Sequence, residues 1–200
     1  MSDKSFLVAG LGNIGSGYEG TRHNIGFIIL DAWAQASNIQ FNTVRYGDMA
    51  ELSVKGRRFH LLKPSTYMNL SGNAVRYWMN ELEIPQENLI VVCDDINLPF
   101  GTVRMRLSGS SGGHNGLGNI EELLQSRDYA RIRVGVGHDF GEGGQISFVL
   151  GGFFPEQLLQ LPAIAEKVRG GIQTWALAGA QKAMTELNTR QNPVETTTNQ

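Results

Sequence analysis

The sequence predicts one α/β domain, and three stretches carry that prediction. Phe6-Leu7-Val8-Ala9-Gly10 has the length and apolar character of a buried strand, and Ile25, Ile28, Ile29, Ala32, Trp33 and Ala36 follow it at helical spacing. Leu89-Ile90-Val91-Val92-Cys93 is apolar throughout, as a central strand covered on both faces requires. From Pro155 onward, Ile164, Val168, Ile172, Trp175 and Ala176 recur on one helical face, which Ala183 and Leu187 continue. The chain has 200 residues, 41% of them hydrophobic, enough for one sizeable core. No Pro- or Ser-rich linker divides it, so residues 1–188 read as a single domain. Residues 189–200 lack apolar periodicity and read as a flexible tail.

The remaining elements fall between these three. Ala50 to Val54 and Arg57 to Leu62 are expected as two strands of a hairpin turning at Lys55-Gly56, with Pro64 ending the second. Ser71 is placed to cap a helix whose stripe is Ala74, Val75, Trp78, Met79 and Leu82. Asn69 then sits just before a helix N-terminus, where free N–H groups favour carbonyl or anionic oxygen. Asp94 and Asp95 follow the central strand; a carboxylate there either caps nearby N–H groups or orients a base. Val103, Met105 and Leu107 alternate with Arg104 and Arg106, and Ile132, Val134 and Val136 alternate with Arg131 and Arg133. Either strand alone reads as one with a solvated basic face. As neighbours, the two would concentrate four arginines in a patch able to grip a phosphate.

Residues 107–116, rich in Gly and Ser, read as a mobile loop ordered by its contacts, and Asn115-Gly116 is a turn signal. His138 to Gln145 is a second glycine-rich, acidic loop, followed by a short strand at Phe148-Val149-Leu150. The pattern from Pro155 onward reads as one covering helix with the option of serving as a lid.

Composition narrows the function. The net charge is −2, so any nucleic-acid contact must come from a local basic patch. The single cysteine, Cys93, rules out a disulfide framework within the chain and a multi-cysteine zinc site, and suits a reducing compartment. With no export pattern at Met1-Ser2-Asp3-Lys4-Ser5 and no apolar run near the roughly 18 residues of a membrane span, a cytoplasmic protein is expected.

Polar residues gather where the strands end. The turn from Leu11 to Gly26 delivers Asn13 and His23 to the end of the first strand, where open α/β sheets build their sites. Gly10, Gly12 and Gly15 match G-x-G-x-x-G, but Gly17, Tyr18, Gly20, Arg22 and His23 intervene before helical periodicity begins. Asp31, about twenty positions on, falls inside the helical pattern instead of ending a second strand, which argues against a dinucleotide. Alone, His23 would read as a helix-terminal residue capping a backbone group. Its company at other strand and loop ends, Tyr67 to Gly72, Asp94-Asp95 and Gly112 to Gly116, favours a site.

Leu11-Gly12-Asn13 with Thr21-Arg22-His23-Asn24, Met68-Asn69-Leu70-Ser71-Gly72, Asp94-Asp95 with Leu98-Pro99, and Gly112-Gly113-His114-Asn115-Gly116-Leu117 together resemble bacterial-type peptidyl-tRNA hydrolases, over nearly the whole chain. The resemblance implies a single-domain, twisted mixed β-sheet flanked by helices. It implies hydrolysis of the ester joining peptide to tRNA, with no cofactor and no metal. His23 would be the base activating water and Asp94, ahead of Asp95, its supporting carboxylate. Asn13 would distinguish N-blocked from free aminoacyl-tRNA, while Asn69 and Asn115 hold the substrate. Tyr18 and Tyr67 would flank it, and Arg106 and Arg133 would grip the tRNA 5′-phosphate. The partner would be peptidyl-tRNA, with no membrane and no obligate protein partner, the chain being a monomer.

Ile14, where the family usually has proline, Cys93, where it often has histidine or another polar residue, and Ser110-Ser111 in the glycine loop depart from the pattern. Two other readings remain: a catalytically idle RNA-binding relative, and a metal-dependent hydrolase using His23, Asp94 and His114. No H-E-x-x-H or comparable ligand spacing supports the second.

Overall fold

The computed structural model describes residues 4–189, so the expected tail, apart from Thr189, lies outside the described residues. Strands β1 (Lys4–Gly10), β2 (Asn42–Val44), β3 (Gly47–Val54), β4 (Arg57–Pro64), β5 (Leu89–Asp95), β6 (Val103–Arg106) and β7 (Ala130–Gly135) form one 7-stranded sheet in the order β2-β3-β4-β1-β5-β7-β6. The β4-β1-β5-β7 centre is parallel, and β2, β3 and β6 add antiparallel edges, giving the mixed sheet that was expected.

Strand periodicity sorts the core into two layers. Phe6 and Val8 point to one face with Ile90, Val92, Ile132 and Val134, while Leu7, Ala9, Leu89, Val91 and Cys93 point to the other. The first face is covered by α1 (Ile25–Ala36), α6 (Leu161–Ala178) and α7 (Ala180–Asn188), through Ile29, Trp33, Val168, Ile172 and Leu187. The second is covered by α2 (Ser71–Glu81) and α3 (Asn115–Leu124), through Ala74, Val75, Leu117 and Ile120. Helices α4 (Gln145–Val149) and α5 (Pro155–Leu158) complete the set.

The expected hairpin is present: Val54 pairs with Arg57, and Lys55 (φ 47°) with Gly56 (φ 75°) supplies the two positive φ angles of a tight hairpin turn. Several local readings are corrected. Asp94 and Asp95 are the last residues of β5, within the strand. Ser71 is the first residue of α2 and does not cap it; its hydroxyl donates to Met68 O at 2.7 Å. Asn115-Gly116 opens α3, and residues 148–149, expected as strand, belong to α4, whose backbone bonds close locally. The covering helix is three helices, with Gly179 (φ 96°) breaking α6 from α7. Leu107 lies beyond β6 and is exposed. The side chain of Asn188 takes the place of a strand at the open edge of β6, accepting from Met105 N at 2.7 Å and donating to Met105 O at 3.0 Å.

Gly10 serves helix–sheet packing. A Cβ there would lie 2.4 Å from Gly26 O, and one on Gly26 would lie 2.3 Å from Leu11 N and 2.7 Å from Val92 O. All three are backbone atoms that cannot swing aside, and the contact brings the start of α1 down onto the ends of β1 and β5. Gly26→Ala is therefore expected to destabilise the fold by about 1–3 kcal/mol or more, the cost of overpacking, measured by urea unfolding. A change within 0.5 kcal/mol, roughly that of an ordinary surface substitution, would show that the contact relaxes freely.

Candidate active site

The turn after β1 crosses the ends of the parallel strands and comes back as a 3₁₀ turn at Arg22–Asn24, carrying His23 over the end of β5. There Asp94, 3% exposed, receives two imidazoles. His23 Nδ1 lies 2.9 Å from both carboxylate oxygens, and His114 Nε2 lies 2.9 Å from Oδ1. Burial alone would push the Asp94 carboxyl up; the charge and hydrogen bonds of His114 and the bonds from His23 outweigh it and hold the group well below the ordinary carboxylate range.

The two histidines are not equivalent. His114 is the N-cap of α3, and its Nδ1 accepts from Gly116 N at 3.1 Å and Leu117 N at 3.3 Å. Nδ1 must then be unprotonated, so in neutral His114 the proton sits on Nε2 and is donated to Asp94. Both of its nitrogens are committed. His23 uses only Nδ1, donating to Asp94, which leaves the Nε2 lone pair facing the groove as a base.

The same assignment addresses metal binding. Ligand atoms of His23, Asp94 and His114 all lie within 4.8 Å of one another. In the tautomers assigned above, each imidazole nitrogen turned toward Asp94 carries a proton and is hydrogen-bonded to it, so a metal held there would have to displace both protons.

Around this pair lies a groove of about 470 Å³. Asn13, Tyr18, His23, Tyr67, Asn69, Asp94, Asn115 and Arg133, all read from the sequence, line it. Arg106 stands apart, exposed at the sheet edge. Asn13 is clamped: its N–H donates to Asn24 Oδ1 at 2.8 Å, its carbonyl accepts from Asn24 Nδ2 at 2.9 Å, and its Oδ1 accepts from Met68 N at 2.7 Å. With the oxygen fixed, the Asn13 NH₂ is left to donate into the groove. The Met68 bond also holds Tyr67 at φ 61°, ψ 158°, a region that costs a side-chain-bearing residue about 1–3 kcal/mol and recurs at functional sites. Asn69 and Asn115 are exposed on the walls, at the starts of α2 and α3.

Neither candidate nucleophile reaches the groove. Ser71 is fully buried and bonded to Met68 O. Cys93 is fully buried too, and burial pushes its thiol up against the lowering pull of Arg133.

The arginine patch is only partly as expected. β6 and β7 are neighbours, with Arg104 opposite Arg133 and Arg106 opposite Arg131. Arg131, however, is 1% exposed, and its guanidinium donates to the carbonyls of Gly109, Arg127 and Tyr129. A buried cation satisfied in this way is part of the core and unavailable to an outside phosphate.

The sequence reading gave no structural role to His114 beyond a turn or a metal, and none to Arg22. Arg22 is buried; its Nη1 donates to Phe148 O at 3.1 Å, and its guanidinium lies 4.1 Å over the Phe148 ring. It fastens α4, whose Gln145, Ile146 and Val149 form one groove wall, to the turn carrying His23. The only sequence signal for Arg22 was its place beside His23.

An imidazole oriented by a buried carboxylate and facing side-chain amides across a groove is an arrangement suited to hydrolysis. The protein-family model described as peptidyl-tRNA hydrolase matches residues 7–195, and the chain belongs to that family. It is 54% identical over 183 residues to the peptidyl-tRNA hydrolase of Phocaeicola vulgatus, a match covering 92% of this chain and 98% of the relative. With that of Cytophaga hutchinsonii it shares 50% over 185 residues, covering 92% and 98%. The crystal structure of peptidyl-tRNA hydrolase from Acinetobacter baumannii superposes with a TM-score of 0.87 at 27% identity, covering 94% of this chain and 97% of that one.

Proposed function

We propose that this enzyme hydrolyses the ester between peptide and tRNA by direct attack of a water that His23 deprotonates. The observation that carries this reading is the unshared Nε2 of His23, held toward the groove by the Nδ1 contact with Asp94. The water proton passes to Nε2 and the oxygen attacks the ester carbonyl carbon. The oxyanion is met by side-chain amides, with Asn13 foremost and Asn115 and Asn69 beside it, each such donor contributing about 3 kcal/mol in comparable acyl-transfer sites. On collapse, Nε2 returns the proton to the departing ribose oxygen, leaving free tRNA and a peptide carboxylic acid, which loses its remaining proton to solvent. Asp94 stabilises the imidazolium in between.

Tyr18 and Tyr67 flank the substrate in this reading, packing on peptide or terminal adenosine. Arg106, exposed at the sheet edge with Nη1 donating to Met105 O at 3.2 Å, supplies charge for a tRNA phosphate. Among the described residues no helix is long and apolar enough to cross a membrane. A cytoplasmic monomer without an obligate protein partner suits the reading. Likeness along nearly the whole chain to relatives named peptidyl-tRNA hydrolase favours the enzyme over an idle RNA-binding relative.

Turnover of N-acetyl-aminoacyl-tRNA beside the unblocked ester tests the proposal. The blocked ester is expected to be cleaved at least tenfold faster, since removing one hydrogen-bonded recognition contact costs about 1.5 kcal/mol or more. Failure to cleave either ester defeats it.

A further inference from the structure

We propose that Arg133 is a positioning residue, stapling the loop that carries His114 and Asn115 to the strand end that carries Asp94; this rests on the hydrolytic reading above. Residues 107–113 include Gly109, Gly112 and Gly113, all at positive φ, and offer few side chains to pack. The loop is held instead by its carbonyls. Arg131 Nη1 donates to Gly109 O at 2.6 Å, and Arg133 Nη2 donates to Ser110 O at 2.8 Å and Ser111 O at 3.0 Å. Ser111 O also accepts from His114 N at 3.1 Å, so one oxygen joins the guanidinium to the residue that caps α3. A Cβ on Gly112 would meet Arg133 Nη2 at 3.5 Å and Nη1 at 3.6 Å, so the loop lies directly on the fork.

The other end of the fork faces the catalytic strand. Arg133 pairs in register with Cys93, one residue before Asp94, and its Nη1 lies 3.6 Å from Asp95 Oδ2. The contacts close a circuit from Asp95 through Arg133 and Ser111 to His114, and back to Asp94 through the 2.9 Å bond from His114 Nε2. Opening the circuit at Arg133 frees the loop and with it both the second hydrogen bond on Asp94 and the amide of Asn115. The guanidinium sends Nη2 to the two carbonyls and Nη1 toward the carboxylate from one rigid plane, whereas a lysine must direct its three donors from a single nitrogen at the end of a flexible stem. A tRNA phosphate would have to compete with these partners for Arg133, whereas Arg106, exposed at the edge of the same face, has one bond, from Nη1 to its neighbour's carbonyl.

The test compares N-acetyl-aminoacyl-tRNA with 3′-O-(N-acetyl-aminoacyl)adenosine, which has no phosphate to clamp. For Arg133→Ala, kcat is expected to fall by the same factor on both, about tenfold, short of the roughly hundredfold that a 1 Å misplacement can cost. Arg133→Lys keeps the charge but not the fork and is expected to show the same kcat loss, which covers the case in which the alanine variant does not fold. The His114 Nε2–H proton, slow to exchange in the wild type by NMR, is expected to exchange rapidly in both variants. A loss confined to KM on intact tRNA, a lysine variant matching wild type on the adenosine ester, or an unchanged Nε2–H signal would each overturn the staple. Wild-type enzyme inert on both esters would instead overturn the hydrolytic reading, and the proton signal would still report on the loop.

Discussion

His23→Ala is expected to cut turnover of N-blocked aminoacyl-tRNA at least hundredfold, the usual effect of a missing general base, while fold and RNA affinity persist. The fold should survive because the imidazole lies on a 3₁₀ turn over the groove, 14% exposed, and outside both apolar layers of the core. Its loss also leaves no bare charge, since His114 still donates to Asp94. RNA affinity should survive because the contacts proposed for the substrate, Asn13, Asn69, Asn115 and Arg106, are untouched. Steady-state kinetics, equilibrium tRNA binding and thermal unfolding together check the result. An activity loss under tenfold, with unfolding unchanged, would mean that His23 is not the base. His114 cannot take over, because its ring nitrogens are both spent, one on the α3 cap and one on Asp94.

Much of this is legible in the sequence, and the reason lies in which forces are local. β1, β5 and α1 declare themselves by apolar length and period, and the β3–β4 hairpin by a turn whose φ angles a Lys-Gly pair can supply. α3 was hidden because Asn115, Gly116 and Gly118 are poor helix formers near its start, and tertiary contacts decide there. A Cβ on Gly116 would lie 2.7 Å from Met68 Sδ, so the residue that weakens the helix is the one that lets it approach the turn behind Asn13. Phe148 and Val149, in the second half of α4, read as strand because a short apolar run has no resolvable period.

The site's residue types were readable, but the division of labour between the two histidines was not. It depends on a cap formed two and three residues downstream of His114 and on a carboxylate twenty positions upstream. For the same reason the arginine alternation on β7 suggested a solvated or phosphate-gripping face. That the sheet's second layer swallows Arg131, and that a loop folds over Arg133, is decided by segments the strand pattern does not contain.

Asp94→Asn should damage catalysis nearly as much as loss of the base itself, by a route that only the hydrogen-bond bookkeeping reveals. Asparagine offers one oxygen and one NH₂ where the carboxylate offers two oxygens. Neutral His114 has its Nδ1 fixed as an acceptor by Gly116 and Leu117 N–H, so its Nε2–H must keep the oxygen. The NH₂ then faces His23 Nδ1 and forces that nitrogen to accept, which moves the His23 proton to Nε2. The lone pair meant for water is gone, and the imidazolium loses its counter-charge. kcat is expected to fall about 10²- to 10⁴-fold, as when a triad base is held in the wrong tautomer, with KM little changed.

Stability gives a second, independent readout. The Asp94 carboxyl sits below its unfolded value, so its contribution is fully present above about pH 4 and fades as pH falls through the folded value. The stability difference between wild type and Asp94→Asn should therefore be largest near neutrality and shrink below about pH 4, measured by urea unfolding at several pH values. A variant within tenfold of wild-type kcat, or a stability gap that widens on acidification, would show that Asp94 neither sets the tautomer nor carries the charge assigned to it.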